Sequence, residues 1–289
     1  MLMSGPVAVV IGHGAILFVL TLVWILSVRL QDVSIVDIFW GLGYVVLAWV
    51  YFVLLSGFRT RAGMVAVIVT LWGLRLALHI FRPNHGKGED VRYQAMRAAY
   101  GPTFWRGSLF RVFWLQGVIL WFVALPLFAA ARAPQPAEFT VSDGLGVLLF
   151  AIGFGFKSIG DWQLERFKSN PANRRVLDTG LWHYTRHPNY FGDATLWWGL
   201  YLIAASTPGG WPTVLSPAVM TLLLMRVSGV TLLEKGLTAS KLGYREYIAR
   251  TPSFVPWFPR TSGFRAPKGT GRGGRARQSP APQRRRAFL

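Results

Sequence analysis

Apolar residues in this chain gather into long runs, separated by segments that hold most of the charge. The runs lie near residues 6–28, 36–56, 63–81, 109–131, 143–159, 190–206 and 211–231, and each is long enough to cross about 30 Å of hydrocarbon as a helix. A segment that spans lipid must satisfy its own backbone, which selects helices or closed barrels. The pattern therefore predicts an all-α, polytopic integral membrane helix bundle of about seven transmembrane helices. No Lys or Arg precedes the first run, and that run exceeds the length of a signal-peptide core, so it is expected to stay as a helix.

The segments between the runs set the orientation. Basic residues follow run three (Arg82, Lys87, Arg92, Arg97, Arg106), run five and run seven, whereas the alternate segments are poor in positive charge. Positively charged loops stay on the cytoplasmic side, so the amino terminus is expected outside and the carboxyl terminus in the cytoplasm. Residues 1–260 form one membrane domain in this reading. Residues 261–289, rich in Gly, Pro, Gln and Arg, are expected to be a disordered basic tail.

Ionisable side chains at membrane depth are costly unless paired, solvated or used, which makes those inside the runs the first candidates for chemistry. Asp37 falls about one turn inside the cytoplasmic end of run two, and Arg75 about two turns from the cytoplasmic end of run three. Asp37 either answers the helix dipole or serves a site. Arg75 either snorkels or pairs with Asp37, as a structural ion pair or as part of a site. Trp40, Trp49 and Trp72 suit packing or the interface. After run three, Glu89 and Asp90 precede a helical pattern of Val91, Ala95 and Ala98 that ends at Gly101-Pro102, which predicts an interfacial helix with acids at its start. Leu125-Pro126 predicts a kink in run four, and an amphipathic stretch that Glu234 opens follows run seven.

Composition narrows the partners. Of 289 residues 52% are hydrophobic, 13 are Trp, and the net charge is +19. With the basic residues beside apolar runs, the counter-charges expected are anionic membrane lipid and a phosphate-bearing cofactor, not nucleic acid. The chain has no cysteine, which removes disulfides, thiolate metal sites and a cysteine nucleophile. Its histidines form no His-Glu-x-x-His pair, and no metal is expected.

Charge is densest between Gly155 and Asp193, in GFGFKSIGDWQLERFKSNPANRRVLDTGLWHYTRHPNYFGD. Asp161, Glu165 and Lys168 recur at helical spacing. Lys168, Arg174, Arg175 and Arg186 are suited to phosphates, while Asp161 or Asp193 can accept from ribose hydroxyls or an amide. No Gly-x-Gly-x-x-Gly follows a strand, which excludes a Rossmann site; any nucleotide is expected to be held by helices and loops. Pro188 suits the first turn of run six, and His187 before it is either structural or an acid or hydrogen-bonding group.

These residues resemble a known superfamily. Asp161-Trp162-x-Leu164, Leu177-x-x-Gly180-Leu181-Trp182, Arg186-His187-Pro188-Asn189-Tyr190-Phe191-Gly192-Asp193 and Tyr244-x-x-Tyr247 with Pro256 look like the carboxyl-terminal half of steroid 5-alpha-reductase-like proteins. With Asp37-Ile38-Phe39-Trp40-Gly41, Trp72-Gly73-Leu74-Arg75-Leu76 and Gly88-Glu89-Asp90-Val91-Arg92-Tyr93, the chain to about residue 260 is similar to an uncharacterised bacterial group of that superfamily, a domain of unknown function.

The resemblance implies a seven-helix reductase-like domain in a bacterial inner membrane, with a cofactor-binding half at about 143–260. It implies NADPH-dependent reduction of a carbon–carbon double bond in a hydrophobic, lipid-like enone. Cofactor contacts fall at Asp161, Lys168, Arg175, Tyr184, Asn189 and Asp193, with Arg174 and Arg186 completing the basic cluster. Asp37 matches the catalytic carboxylate, His187 and Tyr190 join it as catalytic candidates, and Trp40, Trp72 and Arg75 are expected to line the substrate. Two positions depart from the family: Lys157 stands where it has an asparagine, and Trp72, which has no acidic proton, where it has the tyrosine that polarises the substrate carbonyl. The Arg-His-Pro-x-Tyr piece is shared with isoprenylcysteine carboxyl methyltransferases. A membrane methyltransferase using S-adenosylmethionine, with His187 and Glu234 as cofactor contacts, is therefore the alternative, and a non-catalytic lipid-binding scaffold a third reading.

Overall fold

The structure, a computed structural model, describes residues 3–260 apart from 171, 174, 175 and 228. The tail 261–289 and the cofactor candidates Arg174 and Arg175 lie outside the described residues. Every regular element among the described residues is helical. The helices are α1 (Gly5–Leu30), α2 (Val36–Leu54), α3 (Arg59–Asn84), α4 (Val91–Tyr100), α5 (Phe104–Ser108), α6 (Leu115–Val123), α7 (Leu125–Arg132), α8 (Val141–Ser169), α9 (Leu181–Tyr184), α10 (Pro188–Ala205), α11 (Leu215–Leu222), α12 (Val230–Ser240) and α13 (Tyr244–Arg250).

Four stretches are long and apolar enough to cross a membrane: α1, residues Val33–Leu54 that contain α2, α3 and α8. A fifth joins if the pair Val91–Val123 and Leu125–Arg132, bent by 43° at the break, is one span. That break falls at Leu125-Pro126, where the proline ring ends the preceding hydrogen-bond ladder. The run near 190–206 becomes α10, and the run near 211–231 is cut into a 3-10 turn at Trp211–Val214, α11, and a π turn at Leu223–Val227.

The chain divides into two compact units, Met1–Phe154 with Asp193–Leu222, and Gly155–Gly192 with Leu223–Leu289. In the first, α1 buries Ala8, Gly12, Ile16, Leu20, Val23 and Ser27, a single stripe at spacings of three and four. Its other faces are as apolar and stay exposed at Val10, Phe18 and Leu22. A helix that is apolar all round and buried on one stripe is what lipid surroundings require. Helices α2 and α3 approach until a Cβ on Gly41 would lie 2.9 Å from the Gly73 carbonyl oxygen, and one on Gly73 2.7 Å from that of Gly41. Gly146 and Gly199 face each other in the same way, at 2.7 and 2.6 Å. Small residues at such crossings let backbones pack where lipid gives no hydrophobic drive between helices.

Arg61, which the apolar pattern leaves in a loop, is drawn into α3 and fully buried. Its Nε and Nη2 reach the two oxygens of Asp143 at 2.8 and 3.0 Å, and the Pro136 and Glu138 carbonyls accept from Nη1 and Nη2 at 3.0 and 2.8 Å. The Thr140 N–H donates to Asp143 at 2.8 Å and the Asp143 N–H to the Thr140 hydroxyl at 3.1 Å, a reciprocal cap that starts α8. With every polar partner supplied, this ion pair is compatible with complete burial.

Candidate functional site

In the first unit Asp37 lies in the first turn of α2, where the helix dipole favours an acid. Its partners come from α4. Arg92 Nη2 donates to Asp37 Oδ2 at 2.7 Å, and the Tyr93 hydroxyl donates to Oδ1 at 2.8 Å. Asp90 caps α4 by accepting the Arg92 N–H and also takes Arg92 Nε, each at 2.9 Å. Glu89 fastens the same segment down, accepting from the Val33 N–H at 2.9 Å and from Arg97 Nη2 at 2.8 Å. The arginine on Asp37 is thus Arg92, two residues beyond a helix cap; Arg75 lies half-buried in α3.

Deeper in this unit, the Trp72 indole N–H donates to Asp193 Oδ1 at 3.0 Å. Trp72 packs with Tyr44 and Trp197 at ring-centroid distances of 5.6 and 5.7 Å, and Trp40 meets Tyr44 edge-on at 5.7 Å. A residue expected to contact the cofactor, Asp193, is here bonded to one expected to line the substrate, Trp72.

The second unit holds the other candidates. Asp161 is 2% exposed near the end of α8, whereas Glu165 and Lys168, at helical spacing from it, are exposed. Asn189, in the first turn of α10, donates from Nδ2 to Asp161 Oδ1 at 3.0 Å. Lys157, where the resemblance expects an asparagine, is buried in α8. Tyr184 is exposed, and its carbonyl accepts from the Trp257 N–H at 2.9 Å.

Arg186 is buried, and its guanidinium is taken up inside the fold. Nε and Nη2 hold the two oxygens of Glu234 at 2.8 and 3.2 Å, while Nη1 donates to the Ile248 carbonyl at 3.1 Å and to that of Thr251. His187 Nε2 lies 3.1 Å from the same Glu234 Oε1, and its ring stacks on Tyr190 with centroids 5.6 Å apart and planes 9° from parallel. Burial pushes the Glu234 carboxyl up, but hydrogen bonds from His187 and Arg186 and the charge of Arg186 outweigh it and hold the acid below its ordinary value. Burial raises Tyr244, and the charge of Glu234 raises it further. The Tyr247 hydroxyl bonds to the Trp182 carbonyl, and the Arg186 N–H donates to Pro252 at 2.9 Å. These bonds clip the chain after α13 onto the segment that carries Arg186 and His187.

One partner, Tyr93, lies outside the candidates set by sequence. It was legible only as part of the polar Glu89-to-Tyr93 stretch just past an apolar run, in which Glu89, Asp90 and Arg92 are the residues able to close over a ligand. Glu234 as the anchor of Arg186 has no local signal, because 48 residues separate them. Among the described residues, no three His, Asp or Glu side chains gather as a metal ion would need.

A family model described as a protein of unknown function, DUF1295, matches residues 23–251. An uncharacterised protein of Schizosaccharomyces pombe is 26% identical over 192 residues, 58% of this chain and 52% of that protein. The chain thus spans about half the length of this curated relative. No solved structure matches the chain.

Proposed function

The chain belongs to the DUF1295 family of proteins of unknown function, and from that premise we propose that it is an integral membrane oxidoreductase that uses NADPH to reduce a carbon–carbon double bond in a lipid-like enone. The observation that carries the reading is the Asp37 carboxylate with Tyr93 at 2.8 Å on one oxygen and Arg92 at 2.7 Å on the other. Both neighbours donate, so Asp37 acts as acceptor and fixes the direction of the phenol. The acidic proton that Trp72 lacks is carried by Tyr93.

The pair formed by buried Asp161 and half-buried Asn189 supplies an acid and an amide that suit the ribose or carboxamide of a nicotinamide dinucleotide, and Lys168, two turns along α8, adds a cation for its phosphates. Arg186 supports the cofactor reading indirectly, by holding His187 through Glu234. When bound, NADPH supplies the hydride that adds to the beta carbon of the enone. The single Tyr93 proton, held by Asp37 in this structure, would turn to the enolate oxygen and pass to it, and the enol so formed would tautomerise to the ketone. Solvent reprotonates Tyr93, and the products are the saturated ketone and NADP+.

The proposal includes seven crossings, two beyond the five that the long apolar helices account for, the additional ones formed by α10 and by the broken run from Trp211 to Val227. It further places the amino terminus outside, the carboxyl terminus in the cytoplasm, and the protein in a bacterial inner membrane. A second reading, an S-adenosylmethionine-dependent methyltransferase, is favoured by one observation, the His187–Glu234 contact at 3.1 Å.

The test is a parallel thermal-shift titration of the detergent-purified protein with NADPH, NADH and S-adenosylmethionine, since a specific ligand stabilises the fold by mass action. Stabilisation by NADPH that disappears in Asn189→Ala supports the reductase; stabilisation by S-adenosylmethionine alone overturns it. In turnover of an enone, Tyr93→Phe is expected to lower kcat by about 10²–10⁴ with cofactor binding intact. An unchanged kcat rules out Tyr93 as the donor.

A further inference from the structure

A groove of about 570 Å³ opens in the second unit along the last turns of α8, and neither Asp161 nor Asn189 lines it. Trp162, Gln163, Arg166, Phe167, Asn170 and Thr179 form its walls, and among the described residues no carboxylate does. The volume lies within the range of small-ligand sites.

Its polar groups are biased toward one kind of ligand. Gln163 Oε1 accepts from the Leu181 N–H at 3.1 Å, and Asn170 Oδ1 accepts from the Ala172 N–H at 3.0 Å. Each of these oxygens is bonded within the fold and each of the two amides keeps an NH2 group as donor, whereas Asn173, which also lines the groove, gives its NH2 to the Phe167 carbonyl at 2.9 Å. Arg166 lies over the Trp162 ring, 5.6 Å from its centroid, and has no carboxylate partner among the described residues. Amide donors beside an arginine select an anion, and a phosphate suits that arginine.

The helix that carries the groove indicates where the anion comes from. The large apolar residues exposed on α8 are Val141, Leu145, Leu148, Ile152, Ile159 and Trp162, spaced by four, three, four, seven and three, so they form one stripe. Gly155 occupies the gap, with nothing within 4 Å of the position a Cβ would take. Arg166 follows at the next step. An apolar stripe that ends in an exposed tryptophan and then a cation matches the sequence of acyl chain, interface and phosphate across a leaflet.

We propose that this groove binds the headgroup phosphate of an anionic phospholipid whose acyl chains lie along the exposed stripe of α8. Arg166 and the NH2 groups of Gln163 and Asn170 hold the phosphate oxygens, and Trp162 sets the depth of the glycerol region. The site stands apart from the oxidoreductase reading and remains if that reading fails.

The full chain, purified in detergent, is offered an equimolar mixture of phosphatidylglycerol and phosphatidylcholine, and retained lipid is counted by native mass spectrometry. One phosphatidylglycerol is expected to be kept in preference to phosphatidylcholine. Asn170→Asp preserves the acceptor for the Ala172 N–H while placing a negative charge in the groove; Arg166→Gln removes the cation. Each is expected to lower that retention about five- to tenfold, as a contribution of about 1 kcal/mol per basic residue at an anionic surface implies. Arg106→Gln, an exposed arginine of the first unit, is expected to change nothing. Equal retention of the two lipids, or an equal loss in Arg106→Gln, reduces the effect to diffuse charge and overturns the site. Thermal stabilisation by millimolar inorganic phosphate that matches phosphatidylglycerol overturns the lipid assignment in favour of a free anion.

Discussion

Glu234 gathers Arg186 and His187 onto one carboxylate, and most of what holds the Arg-His-Pro segment in place passes through it. Replacing it by Gln keeps the shape and removes the charge. The expected loss of stability is about 1–3 kcal/mol, the usual range for a buried charge-assisted bond, read as a lower unfolding midpoint in detergent. The acid is held below its ordinary value of 4.5, so the unfolded chain takes up the proton first. Its contribution is complete above that value and fades as pH falls through the folded one. Between pH 7 and 3 the wild-type midpoint should therefore fall more steeply than that of Glu234→Gln. Sequence reading reached the acids and bases of this region but assigned Arg186 to phosphate. Residue type announces a guanidinium; only folding shows that Glu234 and two carbonyls already occupy it. The same limit hid Tyr93, whose importance rests on meeting Asp37 from 56 residues away.

At the level of elements, apolar runs were a sound guide wherever a helix is continuous. α1, α3 and α8 lie where the pattern puts them, and the helix expected after run three, α4, is capped by the predicted acid, Asp90. The pattern was less informative near 211–231, where hydropathy counts apolar residues and takes no account of the pitch of the backbone; Pro212 and Pro217 open a stretch that changes from 3-10 to α to π in 17 residues. Nor does hydropathy reveal which glycines mark a crossing. Gly73→Ala would press a methyl 2.7 Å from the Gly41 carbonyl oxygen and 2.6 Å from Val45, and is expected to cost about 1–3 kcal/mol through overpacking. Gly14→Ala, with open space around its added methyl, should be neutral or gain up to about 1 kcal/mol from helix propensity. Unfolding in graded detergent mixtures separates the two.

For the whole molecule, the absence of cysteine turns the orientation into a clean measurement, since any thiol introduced is the sole reporter. In sealed cells, an impermeant maleimide is expected to label Glu138→Cys, between α7 and α8, and to leave Ala99→Cys, at the end of α4, unmodified until the membrane is opened. The reverse pattern inverts the topology inferred from the basic loops.

The buried Arg61–Asp143 pair also bears on how the protein is made. Its members are 82 residues apart in the chain, so at about 5–20 residues per second the ribosome delivers the acid about 4–16 s after the arginine. During that interval Arg61 is without the carboxylate that it meets in the folded chain. The order of synthesis therefore sets when the pair can close.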